Sequence, residues 1–312
     1  MASRVYGPVP SRRYGLSLGV DLIPPKVCSY DCVYCQVGRT TEHTTERRCF
    51  YPPATVLADV ERALADGPQP DVITLAGSGD PSLYTPLGEL IAELKRLSPA
   101  PVVLLTNGGL LWREDVLADA LRADVLAPNL DAGDARTFAR INRPHPEITF
   151  ERMTAGLRRA IAEHAGQVRV EVMLVPGGND SPQAVADIGR VLRGSTPTSI
   201  DLNTPVRPVP GGRVQACPRE GLERARRSLG PRARSVADYS GPQARAVSGG
   251  DVARSLLEVL ARRPCTLEDL CASLGRHRNE VSKALAGLEA EGRIEARAGS
   301  DGRSFYAAVG NG

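Results

Sequence analysis

Short apolar runs alternate with helical patterns over residues 16–208, and this alternation constrains the fold more than any other feature of the sequence. Between the runs, apolar residues recur at three- and four-residue spacing, as on one face of a helix. A regular succession of strand, helix and strand predicts a parallel sheet. That pattern fits a partial (β/α)6 barrel or a doubly wound sheet. Six strands are expected, at residues 15–23, 71–77, 102–108, 124–130, 168–177 and 199–204.

The sequence changes in character after residue 208. Pro/Gly/Ser-rich segments surround one basic helical pattern, and a second pattern of three helices and a hairpin follows. The hairpin turn, GSDG, carries an Asp-Gly pair, which favours a tight β-turn. Three helices followed by a hairpin predict a winged helix. We expect an α/β domain over 1–215, a basic helix and linker over 216–250, and a winged-helix domain over 251–312.

Composition limits the classes of function. The 312 residues include 39 Lys and Arg against 36 Asp and Glu, so the net charge of +3 predicts no strong polyanion-binding surface overall. The N-terminus has no apolar segment of the signal-peptide type, and no apolar run approaches the length of a membrane span. We therefore expect a cytoplasmic protein without a membrane partner. In that reducing compartment, a tight cysteine cluster favours metal binding over disulfide bonding.

The tightest cluster is Cys28, Cys32 and Cys35, which directly follow the first predicted parallel strand. Zinc would require a fourth ligand, such as His43 or Cys49. A [4Fe–4S] cluster can instead be held by three thiolates, which leaves one iron for another ligand. The spacing by itself leaves both metals open.

Polar loops follow the other five predicted strands. Their sequences are AGSGDPSL, TNGG, NLDAGD, PGGND and NTPVRP. In a barrel the loops at the carboxyl ends of the strands lie together and form the active site. The cysteine loop and these five loops therefore predict a single site.

The cysteine spacing resembles that of the radical S-adenosylmethionine (SAM) superfamily. With GSGDPSLY, TNG, NLDA, INRP and NTPVRP, the chain further resembles a branch of stand-alone Fe–S oxidoreductases related to the tRNA 4-demethylwyosine synthases. The resemblance covers residues 5–215 and implies a partial TIM barrel of the radical SAM type. It implies two cofactors, a [4Fe–4S] cluster on the three cysteines and SAM on the fourth iron. It also implies a low-potential electron donor such as ferredoxin or flavodoxin.

The same resemblance implies a reaction and a set of SAM contacts. Reductive cleavage of SAM would give methionine and a 5′-deoxyadenosyl radical, which abstracts hydrogen from a substrate. An Asp stands where relatives have Glu after the second strand, so a backbone contact is expected there. The residues implied to contact SAM are Tyr34, Gly77, Ser78, Gly79, Asp80, Asn107, Asn129, Asp131, Glu171 and Asn203.

Candidate substrate contacts are mainly arginines, whose planar forks suit carboxylate or phosphate groups. Solvated surface arginines are the competing interpretation. Cys217 is either a hydrogen donor or covalent acceptor, or an idle buried thiol. The candidates are Arg12, Arg13, Arg143, His145, Arg207 and Cys217.

Three functions remain open from the sequence. The first is a radical SAM enzyme acting on RNA or a nucleotide-derived substrate, and the second is one acting on a small molecule or peptide that docks on the winged helix. The third is an iron–sulfur redox sensor that regulates DNA binding. Residues 251–312 carry nine basic and nine acidic side chains, whereas a nucleic-acid-binding surface is expected to be basic. The winged helix is therefore expected to bind either nucleic acid or another protein.

Overall fold

The computed structural model describes residues 4–11, 13–209, 214–236, 252–261, 263–274, 276 and 278–309. Its strands are β1 (Val5–Ser11), β2 (Gly15–Val20), β3 (Val27–Cys28), β4 (Glu42–His43), β5 (Val72–Leu75), β6 (Val102–Thr106), β7 (Val125–Pro128), β8 (Gln167–Met173), β9 (Ser199–Asn203), β10 (Ala233–Ser235), β11 (Ile294–Ala298) and β12 (Ser304–Ala308). Its helices are α1 (Pro53–Asp66), α2 (Leu87–Leu97), α3 (Glu114–Ala120), α4 (Ala135–Ile141), α5 (Phe150–Glu163), α6 (Pro182–Val191), α7 (Arg219–Leu229), α8 (Val252–Leu260), α9 (Leu267–Leu274) and α10 (Arg278–Ala290), with a 3₁₀ helix at Pro81–Leu83.

One sheet of eight strands dominates the fold, in the order β1-β2-β5-β6-β7-β8-β9-β10. β1 is antiparallel to β2, whereas every other neighbouring pair is parallel. Six of the parallel strands are those that the sequence predicts. The α/β fold with a partial barrel and a C-terminal winged helix is thus confirmed.

Two strands of this eight-stranded sheet were not predicted. β1 has the sequence VYGPVPS, and proline is tolerated there because β1 lies at the edge of the sheet. β10 falls within the expected linker over 216–250, where it pairs in parallel with β9. Its three residues are too few and too polar for periodicity to reveal a strand. Part of that linker therefore belongs to the sheet.

The two faces of the sheet differ in polarity. Residues such as Leu18, Ile73 and Val170 face the helices and form the large apolar core. The alternate residues face the inner, concave side of the partial barrel, because successive side chains of a strand point to opposite faces. There the hydroxyls of Ser17 and Thr74 lie 2.7 Å apart. The concave face is therefore partly polar although it is buried.

The winged helix packs against this concave face at β1. Tyr6 and Val9 lie opposite Gly19 and Ser17 of β2, with a bulge between them that lets both point to the same side. Both side chains join the apolar core of α8, α9 and α10. Helix α9 lies against β1.

A second contact joins the winged helix to the far side of the barrel. The turn between β11 and β12 places the Oγ of Ser300 2.8 Å from the carbonyl oxygen of Pro205, which follows β9. The winged helix thus extends from the edge strand β1 to the loop that follows β9. It covers part of the open side of the partial barrel.

Val9→Ala tests the contact at β1. Val9 is 3% exposed, and removing its two methyl groups should weaken the contact by about 2 kcal/mol. Amides of α9 should then exchange with deuterium about 30-fold faster, as mass spectrometry of the native protein can measure. Val309→Ala is a matched control, because Val309 is 57% exposed. Unchanged exchange in Val9→Ala would show that the domains are held together elsewhere.

Candidate functional site

The three cysteines lie on one compact loop that follows β2. The amide of Cys35 donates to the carbonyl of Cys32 at 3.1 Å, and that of Gly38 donates to the carbonyl of Cys35 at 3.2 Å. The amide of Thr44 donates to the carbonyl of Cys28 at 3.0 Å, which closes the loop on itself. Backbone hydrogen bonds therefore hold all three cysteines in one short segment.

Two of the thiols accept hydrogen bonds from side-chain amides of neighbouring loops. The Nδ2 of Asn107 lies 3.7 Å from the Sγ of Cys28, and the Nδ2 of Asn142 lies 3.7 Å from the Sγ of Cys32. Burial raises the pKa of Cys28 to about 12, so this thiol is protonated at neutral pH without a metal. Amide donors suit sulfur ligands that become negatively charged on binding iron. The donor set therefore fits an iron–sulfur cluster.

In the described part of the chain, no three His, Cys, Asp or Glu side chains converge as ligands of a single metal ion would. Because a four-iron cluster binds each of its thiolate ligands through a different iron, its ligands need not converge on one point in this way.

The carboxylate of Asp131 connects the cysteine loop to three other segments. It is 2% exposed and accepts hydrogen bonds from the hydroxyl of Tyr34, and from the Nδ2 of Asn142 at 2.7 Å. Its other oxygen accepts from the amide of Met173 at 2.8 Å, and from the Nδ2 of Asn129 at 3.4 Å. Burial raises the pKa of Asp131, and the hydrogen bonds oppose that shift. Tyr34, Asn129 and Asp131 thus lie in direct contact.

Asp80 organises the neighbouring loops in the same way. Its buried carboxylate accepts hydrogen bonds from the amide of Ser82 at 2.8 Å, from the hydroxyl of Thr106 at 3.0 Å and from the amide of Asn107 at 2.7 Å. The Nδ2 of Asn107 then reaches the hydroxyl of Ser29 at 2.9 Å. The side chain of Asp80 therefore joins the ends of β5 and β6.

The glycines of this loop permit close packing. A Cβ on Gly79 would lie 2.0 Å from the carbonyl oxygen of Val27, next to the first cysteine. Gly77 has a φ of +152° and lies against Asp21, whose carboxylate accepts from the amide and the hydroxyl of Ser78 at 3.1 and 2.6 Å. The loop can approach the cysteine segment only because these side chains are missing.

Glu171 and Asn203 lie on the concave face, on neighbouring strands. The Nδ2 of Asn203 donates to Glu171 at 2.8 Å, and Arg13 pairs with the other carboxylate oxygen. Arg13 was expected at the opening of the site as a substrate contact. It lies instead in the hairpin at the amino end of β2, with its guanidinium paired inside the barrel. Glu171 also bridges to Asn129 through the backbone.

Of the remaining substrate candidates in the described part of the chain, two lie beside the cysteine loop and the others lie elsewhere. The carbonyl of Arg143 accepts from the amide of Asp31 at 3.1 Å, and the amide of His145 donates to the carbonyl of Ser29 at 2.9 Å. Both residues therefore lie beside the cysteine loop. Cys217 is 5% exposed, and burial raises its pKa. Its environment is that of a packed thiol.

Arg207 lies close enough to the thiol of Cys265 in the winged helix to interact with it electrostatically. It is therefore near the junction of the two parts of the chain. Arg12 lies outside the described residues.

Three site residues were missed by the sequence analysis. Asn142 contacts both Cys32 and Asp131, and Ser29 receives the amide of Asn107. The Nδ2 of Asn179 donates to the carbonyl of Asp131 at 2.7 Å. Asn142 stands in the INRP motif and Asn179 in PGGND, so polar residues within those motifs were the available signal.

Comparison with known proteins gives two family matches for this chain. Residues 22–188 match the radical SAM superfamily, and residues 240–300 match the DprA winged helix domain. The first match covers more than half of the chain and includes the cysteine loop. The chain belongs to the radical SAM superfamily.

Radical SAM proteins use a [4Fe–4S] cluster and SAM, and this chain is accordingly a radical SAM enzyme. It is 34% identical over 297 residues to a protein of Brachyspira hyodysenteriae named GTPase Obg, covering 93% of this chain and 43% of that protein. It is 37% identical over 205 residues to a UPF0026 protein of Methanocaldococcus jannaschii, covering 65% of this chain and 64% of that protein. The radical SAM chain thus spans less than two thirds of either relative.

Among solved structures, the fold is similar to that of TYW1 with a bound lysine–pyruvate adduct. The TM-score is 0.54 at 18% sequence identity, and the match covers 72% of this chain and 75% of TYW1. At that identity the likeness shows a shared fold. In the described part of the radical SAM chain, no helix is both long and apolar enough to cross a membrane.

Asp131→Asn tests the hydrogen-bonding centre of the site. An amide nitrogen in place of one carboxylate oxygen would face donors, so we expect the free energy of unfolding to fall by about 3 kcal/mol. Urea denaturation of the anaerobic protein measures this loss. Asp66→Asn, at the exposed end of α1, is the control and should change nothing. Equal stability of Asp131→Asn and wild type would remove the structural role of this carboxylate.

Proposed function

We propose that this radical SAM enzyme binds its cluster through Cys28, Cys32 and Cys35, and that the radical derived from SAM abstracts hydrogen from RNA or a nucleotide-derived substrate. One observation carries the first part. The cysteine loop is tied through Tyr34 and Asp131 to the loops at the carboxyl ends of β7 and β8. The cysteines are thereby fixed beside the polar loops of the barrel.

The polar residues of the site have two roles in binding SAM: some hold the loops in place, and others contact SAM directly. The buried carboxylates of Asp80 and Asp131 hold loops in place, since each of their oxygens already accepts from two protein donors, whereas each oxygen of Glu171 accepts from one. The cluster and SAM, when bound, supply the one-electron chemistry that yields methionine and the 5′-deoxyadenosyl radical. Groups proposed to contact SAM directly are those of Tyr34, Gly77, Ser78, Gly79, Asn107, Asn129, Glu171 and Asn203.

Covering the concave face also serves the reaction. A reactive radical must be kept from water and from stray hydrogen donors. Tyr6 and Val9 anchor the winged helix on that face, so the barrel and the winged helix would bound the site together. We assign the barrel to residues 1–215 together with the basic helix and β10 from the segment 216–250, and the winged helix to 251–312. Ferredoxin or flavodoxin is the proposed electron donor.

Two features support an RNA or nucleotide-derived substrate. The winged helix matches the DprA winged helix domain, and α7 with the following strand carries six arginines against two glutamates over residues 219–234. Arginine is well suited to phosphate recognition. The likeness to TYW1, whose structure holds a lysine–pyruvate adduct, adds no support for this substrate, because at 18% identity it shows the fold alone.

The lysines of this chain weigh against the same lysine chemistry. Lys26, Lys95 and Lys283 are its only lysines. Lys95 pairs with Asp124 at 2.6 Å on α2, and Lys283 is exposed on α10. Only Lys26 lies next to the cysteine loop. We therefore do not extend wyosine chemistry to this enzyme.

A peptide or small-molecule substrate is the second candidate, and ion pairs on the winged helix favour it. Arg278 lies 2.5 Å from Glu268, and Arg276 lies 3.2 Å from Glu280. Arginines neutralised in this way form a weaker phosphate-binding surface, although exposed pairs of this kind contribute little energy and can exchange partners. A redox-sensing regulator is less well supported, because the chain belongs to a superfamily of enzymes.

The cluster assignment predicts which cysteines iron requires. Anaerobic reconstitution should give one [4Fe–4S] cluster per chain and, with dithionite, slow conversion of SAM to 5′-deoxyadenosine and methionine. Cys28→Ala, Cys32→Ala and Cys35→Ala should each lose both properties, as iron analysis, electron paramagnetic resonance and chromatography of the products can show. Cys49→Ala (exposed) and Cys217→Ala (buried) are the controls and should keep their iron. Stoichiometric zinc, or two clusters per chain, would contradict the assignment.

RNA binding by the winged helix predicts a steep dependence on salt, because phosphate contacts release counterions. Arg276→Ala and Arg278→Ala should each lower the slope of log affinity against log salt by about one. Filter binding of bulk tRNA at several salt concentrations measures the slope. Arg62→Ala, on the exposed side of α1, is the control. Binding that ignores salt, or tolerates both substitutions, would favour the peptide candidate.

A further inference from the structure

The hairpin between β1 and β2 places an arginine inside the barrel. Ser11 pairs with Gly15, so the turn lies at the amino end of β2, opposite the cysteine loop. Gly15 has a φ of +72°, and a Cβ there would lie 2.3 Å from the carboxylate of Asp71. That carboxylate accepts from the amide of Leu16 at 2.7 Å, which fixes the turn. The position of Arg13 is therefore set by a constrained hairpin.

The guanidinium of Arg13 is buried and paired. Its side chain is 14% exposed, and that of its partner Glu171 is 10% exposed. The ring of Tyr14 lies 5.4 Å from the guanidinium carbon, and Arg169 lies on the same ring at 5.1 Å. Burial lowers the pKa of Arg13, but the interactions with Glu171, Tyr14 and Asp201 together outweigh this effect, and the net shift of the pKa is upward. Arg13 therefore remains charged where it meets Glu171.

Glu171 connects Arg13 to a second residue, Asn203. One of its oxygens takes Arg13 and the other accepts the Nδ2 of Asn203 at 2.8 Å, so the carboxylate cannot rotate without losing a partner. The carbonyl of Glu171 also accepts the amide of Leu130, next to Asn129, at 2.8 Å. Arg13 thus acts on the side chains of two residues that we assign to the SAM site.

We propose that Arg13 is a positioning residue for SAM, acting from the amino end of the barrel through Glu171 and Asn203. This inference rests on the proposed function, because it takes both residues to contact SAM. Arg13 touches neither cofactor in this scheme. It orients the groups that do, as the outer partners of metal ligands orient those ligands.

A neighbouring pair provides a control for a purely structural role. Arg234 donates to both oxygens of Asp201, at 2.7 and 3.1 Å, and Asp201 lies opposite Glu171 on the next strand. This pair is also on the concave face, and Asp201 is fully buried. Asp201 is not among the residues assigned to SAM. Asp201 acts on Arg13 only through its charge, so loss of Arg234 should disturb the barrel while lowering the affinity for SAM much less than loss of Arg13 does.

The test is the dissociation constant of SAM, measured by anaerobic equilibrium dialysis on the full-length, cluster-loaded protein. Arg13→Gln should weaken binding by about 10- to 100-fold. The rate of SAM cleavage at saturating SAM should stay within a few-fold of wild type. Arg13→Lys should recover most of the affinity, because the charge is kept although the planar fork is lost. Arg234→Gln should lose much less affinity for SAM than Arg13→Gln, even where its thermal stability falls as far.

A double-mutant cycle tests whether Arg13 acts through Glu171. Glu171→Gln should weaken SAM binding by itself, and adding Arg13→Gln should cost nothing further. The inference is wrong if Arg13→Gln binds SAM like wild type, if Arg234→Gln loses as much affinity, or if the two losses in the cycle multiply. Failure of wild type itself to bind SAM would instead overturn the proposed function together with this inference.

Discussion

The buried carboxylate of Asp131 is the interaction on which the site depends. Four donors converge on its two oxygens, from Tyr34, Asn129, Asn142 and Met173. A buried charge is expensive unless it is fully hydrogen-bonded, so this carboxylate holds its partners in one arrangement. The cysteine loop has little regular structure of its own and is fixed by backbone hydrogen bonds together with such contacts. The geometry of the proposed cluster site is therefore set in part by a residue that is not itself a metal ligand.

The two faces of the sheet explain how one fold provides both stability and chemistry. The outer face is apolar and packs against the helices, which gives the barrel its core. The inner face carries paired charges and hydroxyls beside a small apolar cluster that includes Val72, Val103 and Val125. The carboxylates of both ion pairs, Glu171 and Asp201, are buried, so removing an arginine partner would leave the carboxylate uncompensated. The interior is thus partly polar and held by paired charges, which suits a site that orients a polar cofactor.

The sequence was sufficient for features that arise from local patterns. Strands such as β5 and β6 were predicted because they are buried on both faces and appear as short apolar runs. The Asp-Gly turn and three amphipathic helices likewise predicted the winged helix. The hydrogen-bond network could not be predicted from the sequence, because its partners are distant in the chain. Arg13 and Glu171 are 158 residues apart, and Tyr34 and Asp131 are 97 residues apart. β1 was hidden by its prolines, and β10 by its brevity.

Strand β1 contributes side chains to the core of the barrel and to the core of the winged helix. This has a consequence for the order of folding during synthesis. Tyr6 and Val9 precede every parallel strand of the sheet in the chain, yet they pack against helices that are made after the last of those strands. At the usual rate of elongation, the segment between the end of β10 at Ser235 and the end of α10 at Ala290 takes about 3 to 11 s to make. Throughout that interval the barrel strands are complete while the inner face at β1 is uncovered. The nascent chain therefore passes through a stage in which the concave side, with the cysteine loop at its edge, is open to the machinery that delivers iron and sulfide.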